Sequence, residues 1–303
     1  MNAVILINQG GGTAQGDPEI GARVEAALGA AGIEGEVELL DGADVAKRAK
    51  EAVEAKAPLV IAGGGDGSIS AAASAIANSE TRLGILPLGT LNHLARDLGI
   101  SFDLDEAAAI IGAGEERRID VAELNGRIFV NNSAIGLYPL MVLDREAQQK
   151  KLGRSKRLAL LVASIRTVAR FRHERLTLTI NDSEKGVIET PLLFVGNNDY
   201  ALDLKQAGQR KSLEDGRLCV LVLRKKGRLG LIAASLRALA GLQRNDDMVQ
   251  LDDVQRLRVS GRRTRMTVSL DGETLSMDCP LDYRIRARAL TVMAPPHTSS
   301  SGA

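Results

Sequence analysis

The chain contains 303 residues, of which 45% are apolar and 25% are charged, and its formal net charge is +1. A chain of this length can bury a sizeable core and fits two domains better than one. The balanced charge, the lack of tryptophan and an aromatic content of only 2% argue against a nucleic-acid binder, which needs a basic surface or stacking platforms.

The cysteine content and the N-terminus indicate an intracellular protein. Cys219 and Cys279 are the two cysteines, and they lack the spacing of a zinc site, so we expect both to be reduced. The first apolar run is too short for a signal peptide, and no stretch reaches transmembrane length. We therefore expect a cytoplasmic location.

The first 120 residues alternate between strand and helix signals. Predicted strands cover residues 3–7, 36–40, 58–62 and 83–86, and predicted helices cover residues 20–31, 44–55 and 70–78. Repeated β-α units with short links predict a Rossmann-like parallel sheet with helices on both faces, in a nucleotide-binding domain of residues 1–120. Three loops follow strands of this sheet, with the sequences NQGGGT, GGGDGS and PLGTLNH. They should lie on one rim, where such sheets bind ligands.

After Asp120 the pattern changes to short strands separated by turn signals. The predicted strands are residues 128–134, 176–180, 192–195, 218–223, 257–259, 266–270 and 274–277. We interpret residues 121–288 as an antiparallel β-sandwich domain, interrupted by helices near residues 154–171 and 229–242. A last short strand is predicted at residues 291–294, and the tail 289–303 could return to the first domain.

The loop of residues 63–68, GGGDGS, joins a buried strand to a helix and is typical of a phosphate-binding loop. Glycines allow backbone N–H groups to approach phosphate oxygens, and the positive end of the helix dipole faces the anion. The chain contains no Gly-Lys dipeptide, so this is not a Walker A loop. A dinucleotide fingerprint fits only loosely, and a plain glycine turn stays open. Asp66 would need Mg²⁺ or a hydroxyl donor between its carboxylate and a phosphate.

Two further segments carry polar groups of uncertain role from the sequence alone. In the next loop, Thr90 and Asn92 offer small hydrogen-bonding groups where Gly89 lets a ligand approach, although Thr or Asn before a helix is commonly an N-cap. Asp271-Gly272 is the expected turn of a β-hairpin, and together with Glu273 it could instead supply a general base.

Asp215-Gly216 has the same ambiguity between a turn and a metal ligand. The strongly basic residues 150–175 have apolar positions at helical spacing. They indicate either a solvated helix face or a cationic surface that meets an anionic bilayer.

The motifs GGGDGS at residues 63–68 and PLGTLNHLARDLG at residues 87–99 resemble the diacylglycerol kinase catalytic-domain family, to which sphingosine kinases are similar. The order of an Asn-containing first loop, GGDGS, PLGTLN, a DG turn and DGE matches that family from Asn8 to Glu273. The resemblance implies an NAD kinase-like α/β domain that binds ATP, followed by a β-sandwich domain.

The resemblance also implies roles for individual residues. Glu273 would be the general base with Asp271 beside it, and Asp215 would match a structural Mg²⁺ site. Asp66 would orient the acceptor hydroxyl or a Mg²⁺-bound water. The residues implied to hold the nucleotide are Asn8, Gly12, Gly64, Gly65, Asp66, Gly67, Ser68 and Thr90. Gly89 and Asn92 of the second loop complete the predicted nucleotide site.

The expected activity is ATP- and Mg²⁺-dependent phosphorylation of a hydroxyl on diacylglycerol or a related lipid alcohol, at a membrane surface that the enzyme visits transiently. A soluble-substrate kinase similar to NAD kinase and a non-catalytic nucleotide-binding regulator stay open, as does a homodimer. The sequence departs from the family at the first loop and at residues 196–200, GNNDY, which keep the Gly-Asn start but lack the glycine cluster that often follows. The second departure bears on substrate identity.

Overall fold

The computed structural model describes residues 1–10, 14, 16–137, 174–200, 210, 212–224 and 248–296. The chain divides into two compact units. Unit 1 comprises Met1–Val121, Gln209–Asp215 and Arg286–Ala303, and unit 2 comprises Ala122–Gly208 and Gly216–Ile285. Among the described residues, no helix has the length and apolarity needed to cross a membrane.

Unit 1 is an α/β domain built on a mostly parallel sheet. Its elements in chain order are β1 (Val4–Asn8), α1 (Ile20–Ala30), β2 (Val37–Leu40), α2 (Val45–Glu54), β3 (Leu59–Gly64), α3 (Asp66–Ile76), β4 (Arg82–Pro87), α4 (His93–Leu98), α5 (Leu104–Ala113) and β5 (Glu115–Leu124), the last of which continues into unit 2. The strands follow the order β2-β1-β3-β4, and Val292 of the final strand β16 (Leu281–Ala294) pairs in parallel with Leu83. All of these pairings are parallel, which confirms the predicted sheet.

The centre of this sheet is buried on both faces, as the unbroken apolar run of its strands requires. Every residue of β3 is buried, and α2 and α3 both contact β3. Helix α3 begins at Asp66, four residues earlier than the predicted start at residue 70, so the end of the glycine loop forms the first helical turn. Helices α4 and α5 were not predicted from the sequence.

Unit 2 is a sandwich of two antiparallel sheets. Its strands are β6 (Arg127–Phe129), β7 (Asn132–Gly136), β8 (Glu174–Ile180), β9 (Ser183–Thr190), β10 (Leu192–Asn197), β11 (Leu218–Leu223), β12 (Met248–Val254), β13 (Arg256–Gly261), β14 (Arg265–Leu270), β15 (Glu273–Asp278) and the first part of β16. One sheet has the order β16-β13-β8-β9 and the other β12-β11-β10-β7-β14-β15. Alternate residues of both sheets form one buried core, which confirms the predicted sandwich.

Several predicted boundaries in unit 2 were wrong. The single strand expected over residues 128–134 is divided into β6 and β7, with a break at Val130 and Asn131. Strands β9 and β12 were missed, and the short strand expected at residues 291–294 is the end of the 14-residue β16. The helices predicted near residues 154–171 and 229–242 lie outside the described residues.

Candidate active site

The ends of three adjacent strands place the predicted nucleotide residues of unit 1 close together. Strand β3 lies between β1 and β4, so that Ile7 pairs with Gly63 and Gly64 with Pro87. The side-chain amide of Asn8 donates a hydrogen bond to the Ser68 hydroxyl at 2.8 Å. The first strand end is thereby joined to the glycine loop, as expected for loops on one rim of a parallel sheet.

Glycine is required at two positions where the loops approach each other. Gly64 has φ 155°, and a Cβ at this residue would lie 2.8 Å from the hydroxyl of Ser68. A Cβ on Gly89 would collide with the Cα of Gly65 in the neighbouring loop. The two glycine loops are therefore packed backbone to backbone, with no room for side chains between them.

The N-terminus of α3 offers backbone donors at this rim. Gly65 is the N-cap residue of the 11-residue helix, and as a glycine it contributes no capping side chain. The first N–H groups of a helix have no partners within the helix, and the dipole makes this end positive. Gly65, Gly67 and Ser68 belong to this junction, whose donors suit the phosphate oxygens of a nucleotide.

The carboxylate of Asp66 fixes the second loop to the first. It accepts hydrogen bonds from the backbone N–H of Asn92 at 3.0 Å and of His93 at 2.6 Å, at the start of α4. The Asn92 amide in turn donates to the Gly89 carbonyl at 2.7 Å and accepts from the Gly89 N–H at 3.1 Å. Asn92 thus shapes its own loop, whereas the neighbouring Thr90 is exposed.

The hairpin in unit 2 has a two-residue turn between β14 and β15. Asp271 (φ 46°) and Gly272 (φ 88°) are both in the left-handed region that this turn requires, and Leu270 pairs with Glu273. The turn interpretation of Asp271-Gly272 is therefore correct. Glu273 is exposed directly after the turn.

The Asp271 carboxylate also holds a neighbouring backbone segment. It accepts hydrogen bonds from the N–H groups of Val130, Asn131 and Asn132 at 2.9, 2.9 and 3.0 Å. The Asp271 N–H donates to the Asn132 carbonyl at 2.8 Å. These contacts attach the turn before Glu273 to the start of the central strand β7, so Asp271 fixes the position of the turn after which Glu273 begins β15.

Asp215 and Gly12 are the other two predicted site residues. Asp215 is exposed at the end of the Gln209–Asp215 segment, and among the described residues no three His, Cys, Asp or Glu side chains form a metal-binding group. Gly12 lies outside the described residues. The roles of all these residues in binding and catalysis stay predictions.

Sequence reasoning missed the Val130–Asn132 segment, because its backbone N–H groups make the contacts and no side chain marks them. It also missed the pair of Asp97 on α4 and Arg210, whose side chains are 4% and 0% exposed and lie 2.6 Å apart. Asp97 stands inside the PLGTLNHLARDLG motif, but nothing in the sequence identifies a partner 113 residues away.

The residues at this rim fit a nucleoside triphosphate better than a metal ion whose ligands are all protein side chains. The α3 N-terminus, whose N-cap residue is Gly65, and the close backbone approach at Gly64 and Gly89 suit phosphate oxygens. Mg²⁺ commonly binds through substrate phosphates, waters and one or two carboxylates, rather than in a cage of protein ligands. The part of the chain that is described contains no such cage.

Family comparisons divide the chain into two matching regions. Residues 2–124 match the diacylglycerol kinase catalytic domain, and residues 142–294 match the YegS C-terminal NAD kinase beta sandwich-like domain. The chain is 28% identical over 233 residues to the diacylglycerol kinase of Bacillus subtilis (strain 168), an alignment that covers 76% of each chain. It is 30% identical over 240 residues to a Chromohalobacter salexigens protein named "Probable lipid kinase YegS-like", covering 77% of this chain and 75% of the relative.

Solved structures show the same fold. A protein described as "a putative diacylglycerol kinase from Bacillus anthracis str. Sterne" superposes with a TM-score of 0.73 at 25% identity, over 97% of this chain and 98% of that one. An NAD kinase from Archaeoglobus fulgidus, solved in complex with ATP, has a TM-score of 0.53 at 11% identity, over 98% of this chain and 94% of that one. At that identity the second likeness concerns the fold alone.

Proposed function

Because the chain belongs to the family of diacylglycerol kinases and YegS-like lipid kinases, it is a phosphotransferase of the lipid kinase class, and we propose that it transfers the γ-phosphoryl group of ATP to a hydroxyl of diacylglycerol or a related lipid alcohol. The proposal concerns the identity of the donor, the acceptor and the catalytic residues.

The observation that carries this proposal is the packing of two glycine loops at the strand ends of unit 1. A helix with a glycine N-cap follows the first loop, and the second glycine loop packs directly against that first loop. Phosphoryl transfer needs little covalent help from the protein, so holding the triphosphate in a fixed geometry is a large part of catalysis. The loop residues 64–68 and 89–90 would hold ATP, and Asn8 would keep Ser68 in place.

Glu273 is the proposed general base. It is exposed beside a rigid turn, and its carboxylate would accept the proton of the acceptor hydroxyl as the hydroxyl oxygen forms a bond to the γ-phosphorus and the bond to ADP breaks. Mg²⁺, when bound to the phosphates, would neutralise charge that develops during transfer. Asp271 would act as a positioning residue, since its carboxylate accepts three backbone hydrogen bonds.

The roles of two other carboxylates are also proposals. Asp66 would orient the acceptor hydroxyl or a Mg²⁺-bound water through lone pairs that its two hydrogen bonds to the α4 N-terminus leave over. Asp215 is an exposed single carboxylate that would need carbonyl and water ligands to bind Mg²⁺.

We further propose a cytoplasmic enzyme that contacts the inner membrane face transiently. The basic residues 150–175 would attract anionic lipid, at about 1 kcal/mol per Lys or Arg near the surface. Most of this segment lies outside the described residues. The support for the proposal is therefore its composition and the lipid kinase family.

The test is transfer of label from γ-labelled ATP with Mg²⁺ to mixed micelles of diacylglycerol, monoacylglycerol, ceramide or sphingosine, with NAD in a parallel reaction. Label in an organic-extractable product is expected. Label on NAD alone would favour a kinase of soluble substrates, and ATP binding without any transfer would favour a regulator.

Substitution of the general base gives the first prediction. Glu273→Ala should lower kcat by at least about 100-fold, the usual contribution of a general base, while ATP affinity changes little. Glu184→Ala is the matched control, because Glu184 is an exposed carboxylate of unit 2 on strand β9. Retention of most activity by the Glu273 variant would show that another group takes the proton.

A further inference from the structure

A cavity of about 390 Å³ lies on the sheet that contains β16, β13 and β8, and all of the residues that line it belong to unit 2. Its volume is within the range of about 300–1,000 Å³ that is common for small-molecule sites. None of its lining residues belongs to the candidate active site. Six of them are charged: Glu123, Asp182, Arg256, Arg258, Asp282 and Arg284. The cavity is thus lined by three arginines and three carboxylates, whose formal charges balance.

Strand pairing places two of these arginines directly opposite each other. Arg256 of β13 is the cross-strand partner of Arg284 of β16. Their chain neighbours Leu257 and Tyr283 belong to the buried core, so both arginine side chains lie on the outer face of the sheet. The Cβ atoms of such partners are about 4.5–5.5 Å apart, and like charges at this position destabilise a sheet. A negative charge between the two side chains would remove this repulsion.

The carboxylates that pair with these two arginines come from the strands on either side. Glu123 of β5 accepts hydrogen bonds from Nε and Nη2 of Arg284 at 2.8 and 2.5 Å. Asp182, in the turn after β8, forms an ion pair with Nη2 of Arg256 at 2.6 Å. Strand β5 pairs with β16, and β8 pairs with β13. The negative charges therefore stand at the two ends of this row of side chains, and the two positive charges stand in its middle.

The two guanidinium groups keep N–H donors for a ligand. Each guanidinium carries five N–H groups. The ion pairs use Nε and Nη2 of Arg284 and Nη2 of Arg256, so Nη1 of Arg284 and both Nε and Nη1 of Arg256 have no partner in the described part of the chain. Thr179 of β8 also lines the cavity and adds a hydroxyl donor. Because the Glu123 carboxylate is only 9% exposed, it holds the Arg284 guanidinium in one orientation before any ligand binds.

These donors favour an anion with several oxygens. Arginine forks match the geometry of carboxylate and phosphate oxygens, but a carboxylate has only the two oxygens that one fork uses, whereas a phosphate group can face two forks at once. We propose that the Arg256–Arg284 pair binds a phosphate group, either free in solution or in the headgroup of an anionic lipid. This site belongs to unit 2 and shares no residue with the glycine loops of unit 1.

Calorimetric titration of the protein with inorganic phosphate at low ionic strength tests the site. Arg256→Gln should weaken binding by about tenfold or more, because it removes charge-assisted hydrogen bonds to the anion. Arg175→Gln is the matched control, since Arg175 is an exposed arginine of β8 in the same sheet but does not line the cavity, and it should keep the wild-type affinity. Phosphate bound at the glycine loops would contribute equally in all three proteins.

A second variant and a second measurement make the result specific. Arg256→Lys keeps the charge but loses the fork, so it should recover only part of the affinity. The side chains of Arg256 and Asp182 are 64% and 70% exposed, so both variants of Arg256 should fold, as a thermal melt without phosphate would verify. Added phosphate should raise Tm less in Arg256→Gln than in Arg175→Gln, a comparison that removes the general stabilising effect of phosphate as a salt.

Co-sedimentation with phosphatidylcholine vesicles, with and without phosphatidic acid, distinguishes the two sources of the phosphate group. A loss of binding to the phosphatidic acid vesicles in Arg256→Gln, but not in Arg175→Gln, would identify a lipid headgroup. A difference between these variants with inorganic phosphate alone would identify a soluble phosphate. Equal behaviour of the wild type and both variants in both measurements would overturn the proposal, and the ion pairs would then form only a solvated charged face. Neither measurement uses phosphoryl transfer, so each result leaves the proposed function unchanged.

Discussion

Asp271 illustrates how a residue next to a catalytic candidate can be structural. Its carboxylate accepts three backbone N–H groups, and carboxylate hydrogen bonds of this kind each contribute about 1.5–3 kcal/mol. The turn itself needs only a residue that tolerates positive φ, as Asn and Asp do. The choice of Asp is thus explained by the Val130–Asn132 segment and by the need to hold the hairpin in one position.

The expected effect of Asp271→Ala is a fall in the free energy of unfolding of about 4.5 kcal/mol, three times the lower value for one such bond, because three donors lose their acceptor. Urea denaturation measures this effect. Asp278→Ala at the other end of β15 is the control, since Asp278 is 81% exposed in its ion pair with Arg265, and the change should stay within about 0.5 kcal/mol. Equal effects of both variants would contradict the role assigned to Asp271.

The two thiols should differ in reactivity. Burial raises the pKa of Cys219 to about 11, and burial together with Asp278 raises the pKa of the partly exposed Cys279. Iodoacetamide at pH 8 should alkylate Cys279 first and leave Cys219 intact until the protein unfolds, as peptide mass spectrometry would detect. In a Cys279→Ser variant, early labelling of native protein would contradict the burial of Cys219.

The raised pKa of Cys219 also predicts how the free energy of unfolding changes at high pH. Between pH 9 and 11 the thiol ionises in the unfolded chain but stays protonated in the folded protein. The free energy of unfolding should therefore decrease as the pH rises through this range. The buried hydroxyl of Tyr283, whose pKa burial raises, adds to the decrease above pH 10.

At the scale of elements, the strand boundaries predicted from the sequence were most accurate where one pattern of apolar residues dominates. The strands of the parallel sheet are continuous apolar runs and were placed within two residues. Strand β9 was missed because its sequence, SEKGVIET, is mostly polar and exposed, and its pairing with β8 defines it instead. Strand β16 contains arginines at alternate positions, with Arg284 and Arg288 exposed and Arg286 partly buried, and these charges hide its apolar face in a sequence window.

Helix α4 shows why the candidate site could be predicted only in part. Its six residues are too few for a helical pattern, and its first N–H groups are capped by Asp66 from a loop 26 and 27 residues earlier. Such a tertiary cap leaves no local signal, whereas the glycine motifs are readable from sequence. The residues of the two loops, including Asp66, could therefore be identified, but not the hydrogen bonds by which Asp66 joins the loops.

Asp66→Ala tests this connection. Loss of the cap should lower the free energy of unfolding by about 1–2 kcal/mol and increase hydrogen exchange at Asn92 and His93. Asp66→Asn keeps an acceptor and should recover part of the protection. A loss of kinase activity in both variants with normal exchange in Asp66→Asn would assign Asp66 a direct part in the chemistry as well.

At the scale of the whole molecule, unit 1 is built from three separate segments of the chain. The chain leaves unit 1 after Val121, returns for Gln209–Asp215, and returns again from Arg286 onwards. The short middle segment is fixed by the buried Arg210–Asp97 pair, by Arg117–Glu214 at 2.7 Å and by a backbone hydrogen bond from Asp120 to Leu213 at 2.8 Å. Unit 1 therefore depends on residues from distant parts of the sequence.

Asp97→Ala should lower the free energy of unfolding by about 3–5 kcal/mol, because it removes the carboxylate that the buried Arg210 guanidinium contacts at 2.6 Å. A double replacement, Asp97→Leu with Arg210→Met, should cost much less, since no buried charge is left. Lys50→Ala removes an exposed pair with Glu54 and should change stability by less than about 0.5 kcal/mol in the same urea titration. A small effect of Asp97→Ala would contradict the burial of the pair.

The pairing of Val292 with Leu83 has a consequence for how the protein is made. Synthesis proceeds from the N-terminus, so the Rossmann-like sheet emerges from the ribosome before β16 has been made. The edge of β4 that pairs with β16 stays unpaired until about 200 further residues have been translated, at roughly 5–20 residues per second. An unpaired, apolar strand edge is a template for aggregation. The nascent chain is thus exposed to mispairing for some 10–40 seconds, and a chaperone that shields β4 during that interval would increase the yield of folded protein.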